Sequence, residues 1–189
     1  MLSVPLPAGV SRALSMLEDA GYEAFIVGGC VRDALRGITP KDYDITTSAL
    51  PEETKAVFRD CRVIETGIQH GTVTVMMDGM PLEITTYRTE GTYSDNRHPD
   101  SVSFTTSLRE DVARRDFTMN AIAYSPVRGL IDHFGGAEDI RGGIIRCVGD
   151  PDTRFREDAL RMMRGIRFAS VLGFRVEENT AAAIRENKE

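Results

Sequence analysis

The sequence predicts an α/β domain in which helices flank a small mixed β-sheet, followed by a further helical segment. Helical and strand patterns alternate through the first 88 residues, and Asp78-Gly79 is a dipeptide typical of tight hairpin turns. The chain has 189 residues, of which 41% are hydrophobic. This size and composition suit one packed domain with at most a fragment of a second.

The first half of the chain carries most of the sheet. In the first helix, Val10, Leu14 and Leu17 recur at the spacing of one helical face, and Gly21 follows as a stop signal. The predicted elements are a helix over 8–20, a strand over 22–27, a short helix through Val31, Ala34 and Leu35 that stops at Gly37, a strand over 42–46, a helix opening at Pro51, and paired strands over 72–77 and 81–88.

The second half is predicted to be mainly helical. Residues 89–106 are polar, and we interpret most of them as a mobile loop. The elements predicted after it are a helix over 108–115, a short buried element over 120–124, a long helix capped by Asp152 or Thr153 that reaches about residue 172, and a helix from 179 onward. Because the chain ends inside this last pattern, we expect it to be part of a longer protein. We place a domain boundary near residue 140, giving domains 1–140 and 141–189.

Charge and cysteine content limit the possible classes of function. A net charge of −6 argues against strong nucleic-acid binding through this chain alone, because phosphate neutralisation needs clustered Lys and Arg. Arginines do gather between residues 141 and 175, which suits a triphosphate or an RNA end. Cys30, Cys61 and Cys147 fit no disulfide or zinc pattern, so we expect reduced thiols in a cytoplasmic protein. No segment resembles a signal peptide or a membrane span, and the oligomeric state stays open.

Asp42 and Asp44 are the first candidates for chemistry. Residues two apart in a strand point to the same face, so these carboxylates would lie side by side. Without an intervening Lys or Arg they repel each other unless a cation is bound, and hard oxygen ligands favour Mg²⁺. The alternative is a pair of surface aspartates on a turn, which is the commoner meaning of an isolated Asp-x-Asp pattern.

Gly28-Gly29 stands where a strand ends and a helix begins. The backbone N–H groups left free at such a point can bind an anion, and Arg32 on the first helical turn can bind phosphate oxygens. In isolation, a Gly-Gly pair is more often an ordinary tight turn. Placed shortly before a strand with paired carboxylates, it forms the layout that phosphoryl transfer requires, with a grip on a triphosphate beside a metal site.

Glu83 is a candidate third carboxylate. It alternates with Leu82 and Ile84, so it projects from the opposite face of its strand. If the hairpin lies beside the strand of Asp42, Glu83 faces the metal site. The alternative is a solvated strand glutamate.

The run from Arg114 to Asn120 combines polar groups with an apolar neighbourhood. We interpret Arg115 as a phosphate ligand, and Asp116 and Asn120 as groups that bind a ribose hydroxyl. The alternative is a capping box with a surface arginine pair.

The late helix is predicted to be amphipathic. At about 100° per residue, one face is apolar and is expected to be core, and it consists of Ala159, Met162, Met163, Ile166 and Ala169. The opposite face carries Glu157, Arg161, Arg164 and Arg167, with Asp158 at the border. Glu157 precedes Arg161 by four residues, which favours an ion pair that holds Arg161 still. The alternative is a solvated charged face.

Asp158 and Arg161 match the hydrogen-bonding edges of two bases. Cytosine and adenine both present an amino donor beside a ring-nitrogen acceptor, which suit a carboxylate and a guanidinium. Uracil and guanine present a carbonyl beside an N–H, so they mismatch both side chains and leave polar groups unpaired.

These motifs occur together in one known family. The sequence resembles the class II tRNA nucleotidyltransferases (CCA-adding enzymes) and the related bacterial poly(A) polymerases, members of the polymerase-β-like superfamily. The resemblance covers nearly the whole chain, and the motifs stand in the family's order. They are residues 25–33, 40–44, 97–99, 114–120 and 157–161, together with Arg164 and Arg167-Phe168.

The resemblance implies a nucleotidyltransferase head and the start of a helical neck, with the tRNA-binding body and tail absent. It implies CTP, ATP and the tRNA 3′ end as partners, Mg²⁺ as cofactor, and a flexible loop over 88–99 that switches from CTP to ATP. The implied roles are metal binding by Asp42 and Asp44, nucleotide binding by Gly29, Arg32 and Arg115, base selection by Asp158 and Arg161, and assistance from Arg164 and Arg167. A poly(A) polymerase, an A-adding enzyme and a non-catalytic nucleotide-binding module remain alternatives.

Overall fold

The computed structural model describes residues 4–97 and 99–187. His98, from the motif of residues 97–99, therefore lies outside the described residues. Helices flank a mixed sheet, which confirms the predicted fold class. In the described part of the chain the α-helices are α1 (Ala8–Asp19), α2 (Gly29–Leu35), α3 (Pro51–Val57), α4 (Leu108–Ala113), α5 (Gly136–Gly142), α6 (Pro151–Glu157), α7 (Leu160–Leu172) and α8 (Glu178–Glu186). None of these helices combines the length and the apolar character needed to cross a membrane.

Seven strands form the main sheet, in the order β3-β4-β5-β2-β1-β8-β9. Neighbouring strands are antiparallel except β2 and β5, which run parallel. Two short pairs, β6 with β7 and β10 with β11, lie outside this sheet. The strands are β1 (Ala24–Val27), β2 (Asp44–Thr47), β3 (Arg62–Ile64), β4 (Thr72–Met77), β5 (Met80–Thr86), β6 (Arg88–Glu90), β7 (Val102–Phe104), β8 (Ile122–Ser125), β9 (Gly129–Asp132), β10 (Ile144–Ile145) and β11 (Arg175–Val176).

Local signals in the sequence account for the elements that were predicted well. Val10, Leu14 and Leu17 of α1 are buried, as one helical face requires. The hairpin between β4 and β5 turns at Asp78 and Gly79, whose φ angles of 52° and 79° are both positive. A two-residue turn with both φ angles positive matches the twist of the paired strands. All four residues of β1 are buried, because this strand lies between β2 and β8.

The segment predicted as a mobile loop contains two paired strands. β6 and β7 run antiparallel, with Arg88 opposite Phe104 and Glu90 opposite Val102. An ion pair of 3.1 Å between Glu90 of β6 and Arg114, at the end of α4, helps to hold this ribbon. The composition of the segment is polar, but tertiary ion pairs stabilise its ends. The mobility of the residues between the two strands stays a prediction.

The late helical region differs from the prediction. The single helix expected up to residue 172 is two helices, α6 and α7, separated at Asp158 and Ala159. Its first turn is capped by Asp150, which accepts a hydrogen bond of 2.9 Å from the Thr153 N–H, and not by Asp152 or Thr153. The predicted boundary near residue 140 stays a prediction. The larger buried cluster contains residues from both sides of it, for example Ile26 and Phe155.

Candidate active site

The sheet topology brings the predicted glycines and carboxylates together on three adjacent central strands, β1, β2 and β5. β1 ends at Val27, which pairs with Asp44 at the start of β2. Gly28 follows Val27 directly. On the other side of β2, Asp44 pairs with Glu83 of the parallel strand β5. Because paired residues on adjacent strands share a face of the sheet, Asp44 and Glu83 are neighbours, as expected if the hairpin lies beside this strand.

Asp44 lies close to two other carboxylates, Glu83 and Asp42. Desolvation raises its pKa above the ordinary value, Glu83 and Asp42 raise it further, and the Arg115 guanidinium opposes them. β2 begins at Asp44, so Asp42 precedes the strand and the same-face argument does not apply to it. Among the residues that the structure describes, no three His, Cys, Asp or Glu side chains gather closely enough to hold a metal ion.

Gly28-Gly29 forms the predicted turn from strand into helix. Gly28 has a φ of +83°, a conformation open to glycine, and α2 begins at Gly29. The Arg32 guanidinium is fixed by hydrogen bonds of 2.9 Å from Nε to Asp33 and from Nη1 to Asn120. Its Nη2 makes no hydrogen bond with the described residues, and it would lie 3.6 Å from a Cβ atom placed on Gly29. One donor nitrogen of Arg32 therefore stays free beside the turn.

Arg115 lies on the other side of Gly28. A Cβ atom placed on Gly28 would lie 3.0 Å from Arg115 Nη1. The Nε atom of Arg115 is buried without a hydrogen-bond partner, and its guanidinium forms no ion pair with any residue that the structure describes. Burial lowers the pKa of Arg115, and the neighbouring charge of Arg114 lowers it further. The carboxylates of Asp111, Asp44 and Asp116 offset part of this cost, and a bound anion would stabilise the desolvated guanidinium further.

Asp116 and Asn120 link Arg32 to Arg164 through hydrogen bonds. Asp116 is buried and accepts hydrogen bonds of 3.1 Å from Asn120 and 2.8 Å from Arg164. Asn120 in turn accepts the hydrogen bond from Arg32. Asp116 and Asn120 thus belong to a buried network that reaches α2 and α7. Ribose binding by Asp116 and Asn120 stays a prediction.

A cleft of about 310 Å³ opens beside Arg115, and we call it the arginine cleft. Six arginines and three carboxylates line it, so its wall is positive although the chain carries a net charge of −6. Such a wall suits a highly charged anion. The lining residues are Arg88, Glu90, Tyr93, Arg97, Pro99, Arg114, Arg115, Asp116, Asp158, Arg161 and Arg164.

Arg161 is held in place at the floor of the cleft, with 6% of its surface exposed. Its Nη1 donates to Glu157 at 2.9 Å, which confirms the predicted ion pair. Its Nη2 donates to the carbonyl oxygen of Arg114 at 3.1 Å. Asp158 lies beside it, with Oδ2 3.9 Å from Arg161 Nε. The Oδ1 atom of Asp158 accepts a hydrogen bond of 2.9 Å from the Leu160 N–H, which fixes the carboxylate at the break between α6 and α7.

The predicted faces of α7 are wrong in part. Met163 and Ile166 were expected in the core but are 62% and 51% exposed, whereas Arg161 is buried. Gly165 lies one turn after Arg161, and a Cβ atom there would lie 3.1 Å from the Phe117 ring. The small residue lets this side of the helix pack closely against the core, and hydrogen bonds satisfy Arg161.

The predicted residues take different places relative to the cleft. Met162 and Ala169 of the expected apolar face do pack against the core. Arg164 lines the cleft and forms an ion pair of 2.7 Å with Asp116. Arg167 is exposed, lies outside the lining, and forms no ion pair with the residues that the structure describes.

Sequence reasoning missed several lining residues in the predicted loop. Glu90 accepts hydrogen bonds from Arg88 at 3.2 Å and from Arg114 at 3.1 Å, and Tyr93 donates to it as well. These positive neighbours hold the pKa of Glu90 below its ordinary value in spite of the desolvation that raises it. A glutamate in a polar loop carries no local signal of such contacts. Tyr93, the single tyrosine of residues 89–106, was the only sequence feature that suggested such contacts.

Comparisons with known proteins identify a family and relatives that share this sequence pattern and fold. A family model described as "Poly A polymerase head domain" matches residues 24–146. A CCA-adding enzyme from Lactobacillus helveticus is 55% identical over 93% of this chain and 44% of its own length. The crystal structure of a Bacillus stearothermophilus CCA-adding enzyme in complex with CTP is 49% identical, with a TM-score of 0.87 over 95% of this chain and 42% of that one. A Thermotoga maritima CCA-adding enzyme complexed with tRNA gives a TM-score of 0.77 at 26% identity, over 96% of this chain and 42% of that one. The chain thus spans less than half the length of these relatives.

Proposed function

The chain belongs to the family of the poly A polymerase head domain, and from this premise we propose that it is the nucleotidyltransferase head of a CCA-adding enzyme. In the proposed reaction, the tRNA 3′-hydroxyl attacks the α-phosphate of CTP or ATP. The bond between the α-phosphate and the bridging oxygen breaks, and pyrophosphate leaves. Relatives named CCA-adding enzymes, including one solved with CTP, support this choice. The free cysteines support the cytoplasm as the compartment.

The observation that carries the proposal is the guanidinium of Arg115 beside Gly28, which forms no ion pair with the described residues. Arg115, the free Nη2 of Arg32 and the backbone N–H of Gly29 together offer donors to one anion, whereas the Gly28 N–H donates to the carbonyl oxygen of Ile122 at 3.3 Å. The same Arg115 is close enough to Asp44 to oppose the rise in its pKa. We propose that these donors bind the triphosphate and place its α-phosphate beside the carboxylates of Asp42 and Asp44.

Asp42 and Asp44 are the proposed Mg²⁺ ligands, with Glu83 as a neighbouring carboxylate. The fit rests on the donor set, because the mutual repulsion around Asp44 is what a divalent cation relieves. Two carboxylates suffice, since Mg²⁺ in phosphoryl-transfer sites is usually held by one or two carboxylates together with substrate phosphates. When bound, such an ion stabilises the charge that develops on the attacking and leaving oxygens.

The arginine cleft is the proposed site of the base. Oδ2 of Asp158 can accept from the amino group of cytosine or adenine, while Arg161 donates to the ring nitrogen. Glu157 holds Arg161 in position for this contact. Asp116 and Asn120 are proposed to bind the ribose, Arg164 to support them through Asp116, and Arg167 to assist from outside the cleft.

Transfer assays with the 189-residue chain test this function. The substrate is a tRNA transcript that lacks its 3′-terminal CCA, supplied at high concentration because the chain spans less than half of its relatives. With Mg²⁺, CTP alone should add up to two C residues, and ATP should add one A only after them. A long A tail from ATP alone would indicate a poly(A) polymerase, and A addition restricted to tRNA ending in CC an A-adding enzyme. Nucleotide binding without pyrophosphate release would indicate a non-catalytic module.

Gly28→Ala should weaken binding of inorganic tripolyphosphate and of all four NTPs about tenfold or more. Alanine strains the backbone at a positive φ, which costs on the order of 1–2 kcal/mol. Its Cβ atom would also lie 3.0 Å from Arg115 Nη1 and displace the proposed phosphate ligand. Calorimetric titration of each ligand into wild type and variant measures the effect.

Gly37→Ala is the matched control. Gly37 has a φ of +73°, and a Cβ atom there would meet nothing within 4 Å. This variant should therefore lose a similar amount of thermal stability but bind nucleotides normally. Equal affinities in both variants would show that Gly28 is an ordinary turn residue.

A further inference from the structure

We propose that Phe168 is a positioning residue of the nucleotide site. Its ring holds the guanidinium groups of Arg32 and Arg164 in fixed orientations. It thereby sets the distance between the proposed phosphate site at Arg32 and the proposed base site in the arginine cleft. The inference rests on the proposed function, because it assumes that these two arginines contact a bound nucleotide.

Phe168 stands between two elements of the site. The guanidinium carbon of Arg32 on α2 lies 5.3 Å from the centroid of the Phe168 ring, and that of Arg164 on α7 lies at the same distance. The ring also packs edge-on against Phe117, with centroids 6.0 Å apart. Phe117 is fully buried, so it anchors the Phe168 ring to the core.

The two arginines are joined a second time through hydrogen bonds. Arg32 donates to Asn120, Asn120 donates to Asp116, and Asp116 accepts from Arg164. Arg32 and Arg164 are thus connected by two separate routes, one through the Phe168 ring and one through these hydrogen bonds. Within the described part of the chain, Nη2 of Arg32 and Nη1 of Arg164 take no part in hydrogen bonds, so each arginine keeps one nitrogen for a ligand.

An aromatic ring is well suited to this role. Two neighbouring guanidinium groups repel each other, and the negative face of a ring attracts both cations. A guanidinium that stacks its flat face on a ring leaves its N–H edge free to bind phosphate or a base. An aliphatic side chain of similar size would fill the space but would not orient the two groups.

Phe168→Leu should raise the dissociation constants of CTP, ATP and inorganic tripolyphosphate about five- to twentyfold, because each cation–π contact at such a site changes an equilibrium about two- to fivefold. The loss should be nearly equal for CTP and ATP, since Phe168 does not line the cleft proposed to hold the base. Phe168→Tyr should restore binding, because it keeps the ring. Calorimetric titration with Mg²⁺ measures all three ligands. If Phe168→Leu does not fold, Phe168→Met removes the ring at similar volume and should give the same rise.

Phe174→Leu provides the matched control. Phe174 makes the same kind of contact, with Arg36 5.3 Å from its centroid, but Arg36 is not one of the proposed nucleotide ligands. It should lose comparable thermal stability and bind nucleotides like wild type. In an Arg164→Gln background, the effect of Phe168→Leu should shrink to the share carried by Arg32.

Three outcomes would overturn the proposal. They are wild-type affinity in Phe168→Leu, a loss that Phe168→Tyr does not restore, and an equal loss in Phe174→Leu. If the wild-type chain itself binds no nucleotide, the proposed function fails and this inference fails with it. If the wild type binds and Phe168→Leu binds equally well, the positioning role alone is wrong.

Discussion

Asp44→Asn should lower nucleotide transfer by a thousandfold or more while leaving the fold intact or slightly more stable. Loss of a metal carboxylate removes several kcal/mol of charge stabilisation, and each 1.36 kcal/mol is about a factor of ten in rate. Pyrophosphate release at saturating CTP and primer measures the rate. The same assay should show a comparable loss for Asp42→Ala.

The stability effect of Asp44→Asn has the opposite sign. Desolvation and the neighbouring carboxylates raise the pKa of Asp44 in the folded chain above its unfolded value. The unfolded state therefore releases this proton at lower pH, and the ionised carboxylate lowers stability as pH rises through the folded pKa. In the absence of metal, the neutral isostere should melt higher at pH 7, and the difference should vanish below about pH 4, the ordinary range of an Asp carboxyl.

Asp60→Asn is the control for the loss of one negative charge. Its side chain is 91% exposed and lies away from the site, so both rate and melting temperature should match wild type. A near-normal rate in Asp44→Asn would refute metal binding by this carboxylate. A lower melting temperature would mean that Asp44 serves the fold.

Asp158→Ala should change which nucleotide binds. Removing the carboxylate deletes the acceptor for the amino group of cytosine or adenine, and it also removes the repulsion that disfavours the uracil carbonyl. A hydrogen-bond mismatch of this kind is worth on the order of 1–3 kcal/mol, so the preference for CTP over UTP should shrink roughly ten- to hundredfold. Titration of all four NTPs into wild type and variant measures the preference.

The control must account for a second role of Asp158. Its Oδ1 accepts a hydrogen bond from the Leu160 N–H, so alanine also removes a hydrogen bond at the start of α7. Asp150→Ala removes a side-chain hydrogen bond at the start of α6, where Asp150 accepts from the Thr153 N–H. It should lower the melting temperature without changing the CTP preference. A parallel loss of affinity for all four NTPs in Asp158→Ala would show that the carboxylate does not read the base.

The features of this chain that were predictable depend on neighbours in sequence. The Asp78-Gly79 hairpin, the Gly28-Gly29 turn and the Glu157–Arg161 ion pair each follow from residues within a few positions of one another. The pairing of Glu83 with Asp44 needed one further assumption, that the hairpin lies beside β2, and it is confirmed.

The errors occurred where distant residues decide the outcome. Met163 and Ile166 were expected in the core but are exposed, whereas Arg161 lies in the interior, where the carbonyl of Arg114 satisfies it. Hydrophobic periodicity cannot reveal this, because it assumes that charged residues face water. Glu90 was missed for the same reason, since the arginines that surround it come from the end of α4 and from α7 as well as from its own strand.

The close approach at Gly165 bears on how nucleotide preference could be exchanged between relatives. The helix that carries Arg161 packs closely on Phe117 through Gly165 and Phe168. A graft of α7 from another protein would therefore have to bring the matching surface of the head. Under the proposed function, nucleotide preference depends on both sides of this contact, and directed evolution of it should favour paired changes over single ones.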